Sequence, residues 1–135
     1  MAQRLLRNDA TGEEVRVIAE RDDVLVLETT WTRPGHRAST HVHPKLEERF
    51  EVLSGRAGFL VGDAPERFAE PGDVVVVPPG TAHLAWNASD GPTRVRLEFR
   101  PPGRWLEVME LIFAGPDRAA MIAILRDFPD EIAAP

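Results

Sequence analysis

Cysteine is absent from this 135-residue chain, which removes disulfides, thiolate metal ligands and thiol nucleophiles from any account of it. Lysine is nearly absent too: Lys45 is the only one, so the cationic residues are almost all arginines. They are scattered rather than gathered into a stripe. Acidic residues outnumber basic ones 22 to 16, for a net charge of −6 and a pI near 5.2. A nucleic-acid partner needs a clustered basic face to displace phosphate counterions, and none is expected here. No run reaches the ~20 apolar residues needed to cross a bilayer. The start, Met1 to Arg7, lacks the apolar core of a secretory signal. These absences predict a soluble, cytoplasmic protein with no membrane partner. Also missing are a Gly-rich phosphate loop and a His–Asp partnership for Ser39 or Ser54. The acidic pairs Glu13-Glu14 and Asp22-Asp23 read as solvated turns.

What is present is punctuation. Twelve Pro and ten Gly divide the middle of the chain into short segments, which favours β-structure with tight turns. Strands are expected over Val15 to Glu20, Val24 to Trp31, a short stretch through His41 and His43, Glu48 to Leu53, Ala57 to Val61, Leu84 to Asn87 and Arg94 to Arg100. Val74-Val75-Val76-Val77 is apolar at every position and predicts a strand buried on both faces. Beyond Pro101-Pro102-Gly103 the period changes to helical. Trp105, Met109, Ile112 and Phe113 form one stripe, and Met121, Ile124, Leu125 and Phe128 form a second on a helix starting at Pro116. The stripes suit core packing, a cap on the barrel mouth or a dimer surface, and a homodimer is expected from them. Strands followed by helices predict one mainly all-β domain over residues 1–135, with its β-structure segregated from a helical segment over about 104–130 rather than alternating with it.

The chemistry concentrates between Gly35 and Asn87. On a strand, His41 and His43 point to the same side while Val42 points away. Glu48 opens the next strand, and neighbouring strands lie only ~4.8 Å apart, so its carboxylate can reach the same point. His83 follows the turn Pro78-Pro79-Gly80, which can aim a third imidazole inward. Three neutral imidazoles and one carboxylate leave about two positions open on an octahedral ion. The expected cofactor is therefore one divalent transition metal (Fe, Mn, Ni, Cu or Zn) on His41, His43, Glu48 and His83. Alternation selects Glu48 over Glu47: if Glu48 faces in with Phe50 and Val52, then Glu47, Arg49 and Glu51 face out. His36 reads as a loop histidine.

These residues also form two spaced signatures. Gly35, His41-x-His43, Glu48 and Gly55 resemble the first cupin motif. Gly72, Pro78-x-Gly80, His83 and Asn87 resemble the second. The resemblance is to small single-domain bacterial cupins. It implies a jelly-roll-like barrel over about residues 13–100 with a metal on His41, His43, Glu48 and His83, turn roles for Gly55, Gly72 and Gly80, and for Asn87 a structural role or one supporting the metal ligands.

By alternation, Phe50, Val52, Ala57, Phe59, Val95, Leu97 and Phe99 point inward, with Phe50, Phe59 and Phe99 the candidate substrate contacts. Arg33, His36 and Arg37 could rim the mouth. Glu48 is the ligand most able to double as a proton acceptor. The expected function is a metal-dependent oxygenase (dioxygenase) acting on an apolar or aromatic small molecule. A non-redox isomerase or polyketide cyclase using the metal as a Lewis acid is the alternative, and a non-enzymatic binding module is the third.

Overall fold

Reciprocal apolar alternation organises the molecule, a computed structural model that describes residues 4–135. The first three residues of the stretch from Met1 to Arg7 therefore lie outside the described residues. The strands are β1 (Leu5–Asn8), β2 (Glu13–Glu20), β3 (Leu25–Trp31), β4 (Glu47–Ser54), β5 (Ala57–Val61), β6 (Arg67–Ala69), β7 (Val74–Val77), β8 (His83–Asn87) and β9 (Thr93–Arg100), followed by helices α1 (Trp105–Phe113) and α2 (Arg118–Asp127). One sheet runs β1-β2-β3-β9-β4-β7 and the other β6-β5-β8, and the named pairings are all antiparallel. The fold is a sandwich-like jelly roll with two C-terminal helices.

β9 shows why these residues make these elements. Thr93, Val95, Leu97 and Phe99 are buried, while Arg94 and Arg100 are exposed. Its period of two places β-branched and aromatic side chains on one face and charges on the other. β4 does the same with Glu48, Phe50 and Val52 inward. The core lies where the inner faces meet: Phe50 of β4 packs edge-on against Phe59 of β5, with ring centroids 5.1 Å apart. Gly55, at φ +83° in the β4–β5 turn, lies so close to Thr93 that a Cβ would come within 2.4 Å of the hydroxyl oxygen.

Three expectations need correction. β7 is buried on one face only, with Val75 and Val77 inside while Val74 and Val76 are 38% and 46% exposed. Its inner face meets the core, and its outer face, like that of β9, is left to solvent. The stretch through His41 and His43 is not a strand but two isolated bridges, His41 with His83 and Val42 with Ala133. Pro44 has no N–H to extend the pairing. α2 starts at Arg118, not Pro116, because Asp117 caps it by accepting from the Ala120 N–H at 2.8 Å. β1 and β6, of four and three residues, are too short for alternation to mark them in the sequence.

The helices close one side of the core. Trp105, Leu106, Val108 and Met109 are buried, and Ile112, Phe113, Met121 and Leu125 pack against the core cluster. The apolar stripe that suggested a dimer surface is thus turned inward. Among the described residues, no helix is long and apolar enough to cross a membrane.

Candidate metal centre

His41 and His83 face each other across their bridge, each backbone N–H donating to the other's carbonyl at 3.1 and 2.9 Å. This pairing brings their rings to 4.5 Å between centroids, and His43 lies 4.9 and 5.1 Å from them. Glu48 enters from β4, paired to Phe99 on one side and Val77 on the other. One donor atom from each of these four side chains lies within 4.8 Å of all the others. Donors around an ion with bonds of ~2.1 Å are separated by roughly 3–4 Å, so the cluster is close to a coordination shell.

The second layer fixes the rings. Nδ1 of His41, His43 and His83 meets the backbone carbonyls of Ser39, Glu131 and Thr81 at 3.1, 2.8 and 2.9 Å. A carbonyl oxygen only accepts, so each Nδ1 carries hydrogen and each Nε2 is the atom left to coordinate. His83 Nε2 lies 3.0 Å from Glu48 Oε1, and His43 Nε2 lies 3.2 Å from the same oxygen. His43 Nε2 is nevertheless buried without a hydrogen-bond partner. Such an orphan costs free energy in an interior, and a divalent cation among the four donors would satisfy it. The residues present fit a metal.

The electrostatics agree. Burial works against ionised Glu48, yet the imidazoles of His43 and His83 outweigh it and hold the carboxyl near pKa 2. Held in its ionised form, Glu48 is the anionic donor of the cluster. Burial, reinforced by the neighbouring imidazoles, depresses His41 to about 4. At His83 burial also opposes charge, but the hydrogen bond and charge of Glu48 prevail and raise its pKa.

The cluster opens into a cavity of about 350 Å³ with largely apolar walls. Phe50, Leu97 and Phe99 line it as expected, and α1 adds Trp105, Met109, Ile112 and Phe113. Phe59 does not: it is 1% exposed and lies behind Phe50, filling core rather than cavity. Val52, Ala57 and Val95 are core residues as well. Arg33 and His36 line the mouth, whereas Arg37 stacks over Trp86, its guanidinium carbon 3.6 Å from the ring centroid. Asn87 is a structural lock: its Nδ2 donates to the carbonyls of Trp31 and Gly91, and its Oδ1 accepts from Thr93 Oγ1 at 2.7 Å.

Two residues that meet the cluster or its cavity are not marked by the sequence reading. Glu131 supplies the carbonyl that orients His43 from 88 positions away, a contact with no local signal. Glu13, assigned to a solvated turn, lines the cavity instead. Its signal was available, since it shares a face of β2 with fully buried Val15.

Comparison with known proteins agrees with this architecture. The family model described as Cupin domain matches residues 32–99, 68 of the 135. No curated protein matches. A protein with a double-stranded β-helix domain from Klebsiella pneumoniae is 28% identical, with a TM-score of 0.56 over 64% of this chain and 74% of that one. The DMSP lyase DddQ from Ruegeria pomeroyi is 30% identical, with a TM-score of 0.53 over 59% of this chain but only 39% of the lyase. KdgF from Halomonas sp. superposes over 75% of this chain and 88% of its own, with a TM-score of 0.64 at 20% identity.

Proposed function

The chain belongs to the cupin family, and from that premise we propose that it is a metal-dependent enzyme acting on a small, largely apolar molecule held in the cavity. The observation that carries this reading is the convergence of His41, His43, Glu48 and His83, donors within 4.8 Å of one another, on the wall of an apolar cavity. These four residues would hold one divalent ion of the Fe, Mn, Ni, Cu or Zn group, leaving about two positions open. When bound, the ion supplies Lewis acidity or, if redox-active, oxygen chemistry. The chain's own residues do the rest. Carbonyls of Ser39, Glu131 and Thr81 hold the rings in orientation, Glu48 supplies the anionic donor, and Phe50, Phe99 and Trp105 exclude water and shape the ligand space.

The non-redox reading comes first. DMSP lyases stand at 30% and 26% identity to this chain, and a lyase by name cleaves a bond rather than inserting oxygen. Isomerase and polyketide cyclase activities belong to the same class. The oxygenase expected from the sequence is the second reading, favoured by the open positions beside a three-histidine, one-carboxylate donor set.

Elemental analysis of the purified protein, followed by turnover of candidate substrates with and without O₂, tests both. Activity that persists anaerobically and with Zn²⁺ supports the non-redox reading, and activity confined to air with a redox metal selects the oxygenase. A protein that takes up no divalent metal overturns the whole proposal.

A further inference from the structure

Glu13 is a carboxyl set into the wall of the cavity with half its hydrogen-bonding capacity committed. It lies directly across the ladder from Trp31, with Thr29 two residues further along the same face of β3. Thr29 Oγ1 and Trp31 Nε1 both donate to Oε2, at 2.8 and 3.2 Å. Among the described residues, no group donates to Oε1 and no arginine, lysine or histidine pairs with Glu13. A strut between β2 and β3 would need only a neutral amide, and an unpaired carboxyl against apolar walls is costly. Burial accordingly raises its pKa against the two hydrogen bonds that lower it. A costly polar group held in place on one side and free towards a cavity is the pattern of a recognition site.

We propose that Glu13 is a specificity-determining residue of this cavity, its free Oε1 taking a hydroxyl or N–H donor on a ligand whose other end meets the metal position. The proposal rests on the metal-dependent reading above and deepens it. The ligand class becomes bifunctional: an oxygen or nitrogen at one end to meet the four-residue centre, an apolar body against Phe50 and Phe99, and a hydrogen-bond donor at the far end. The orientation of Glu13 also predicts what its amide does. Because two donors converge on Oε2, Gln at this position would place its carbonyl there and turn its NH₂ towards the cavity, replacing an acceptor with a donor.

The test uses metal-loaded protein and benzohydroxamate, which chelates divalent ions, alongside its 3-hydroxy and 4-hydroxy derivatives. Calorimetric titration of wild type should show one hydroxylated probe binding about tenfold more tightly than the parent, the gain of one well-made hydrogen bond to a charged or buried acceptor. In Glu13→Gln that ratio should fall to about threefold or less, because a phenol oxygen accepts from a neutral amide more weakly than its hydroxyl donates to a carboxylate. Trp31→Phe, which loosens the carboxyl without removing it, should reduce the ratio and serves if Glu13→Gln does not fold. Equal ratios in wild type and variant, or no gain with either isomer, overturn the role of Glu13. If the protein takes up no metal, the metal reading fails separately. The comparison is then phenol against toluene in metal-free protein, where a phenol preference lost in Glu13→Gln still supports recognition by Glu13 and its absence refutes it.

Discussion

Loading the centre with a divalent ion has to displace a proton from His83. Glu48, through its hydrogen bond and charge, raises the pKa of His83 above the ordinary 6.5 despite burial. His41 is depressed to about 4 and Glu48 to about 2, so neither holds a proton near neutrality. Between pH 6.5 and the raised value, the metal-free protein therefore carries a proton on His83 that a coordinating Nε2 cannot keep. The sign follows from the raised pKa. The His83–Glu48 pair stabilises the metal-free fold fully below pH 6.5, and that contribution fades as pH rises through the folded value. Apparent metal affinity should climb over the same interval and level off beyond it. One displaced proton corresponds to about tenfold, or ~1.4 kcal/mol, per pH unit. Calorimetric titration with Co²⁺ from pH 6.5 upward, in two buffers of different ionisation enthalpy, reads both the slope and the number of protons released. A flat profile with no buffer dependence would refute the assignment of the proton to His83. A slope well above one would show that a second group releases a proton with it.

Two further outcomes follow from the placement of particular side chains. Phe59→Ala should cost about 3–5 kcal/mol as a core truncation, a fall in Tm of roughly 10–15 °C, with benzohydroxamate affinity unchanged because Phe59 lies outside the cavity. Phe50→Ala should cost a similar amount and alter that affinity as well, so equal behaviour of the two variants in binding would contradict the cavity boundary. Deleting residues 131–135 removes the carbonyl that accepts from His43 Nδ1 and the bridge between Val42 and Ala133. Loss of such an orienting partner should lower Co²⁺ affinity about 10–100-fold, with circular dichroism reporting whether the fold survives, and an unaltered Co²⁺ isotherm in a folded variant would remove the tail from the site.

The four donors were legible in the sequence because several independent constraints meet on them. Period-two alternation aligned His41 with His43 and chose Glu48 over Glu47, and the turn at Pro78 to Gly80 delivered His83. Alternation gives the side of a strand, however, and not the depth at which a side chain ends. Phe50 and Phe59 both point inward from different sheets, yet only Phe50 reaches the cavity. Nor does composition reveal which face a layer covers: four consecutive valines in β7 look doubly buried, and only the packing of the sheets through their inner faces leaves Val74 and Val76 in water. The carbonyl of Glu131 belongs to a tail folded back to pair with Val42, a purely tertiary contact. Glu13 was a different failure, since two adjacent acids were read by type instead of by face. The rule that separated Glu47 from Glu48 also separates Glu13 from Glu14. Glu13 shares the face of Val15, with Thr29 and Trp31 of the next strand to meet it, and it enters the cavity. Glu14 takes the other face and pairs with Arg7 at 3.7 Å, half-exposed. A glutamate that a strand turns inward has to find donors or a ligand, and Thr29 and Trp31 satisfy only one of its two oxygens.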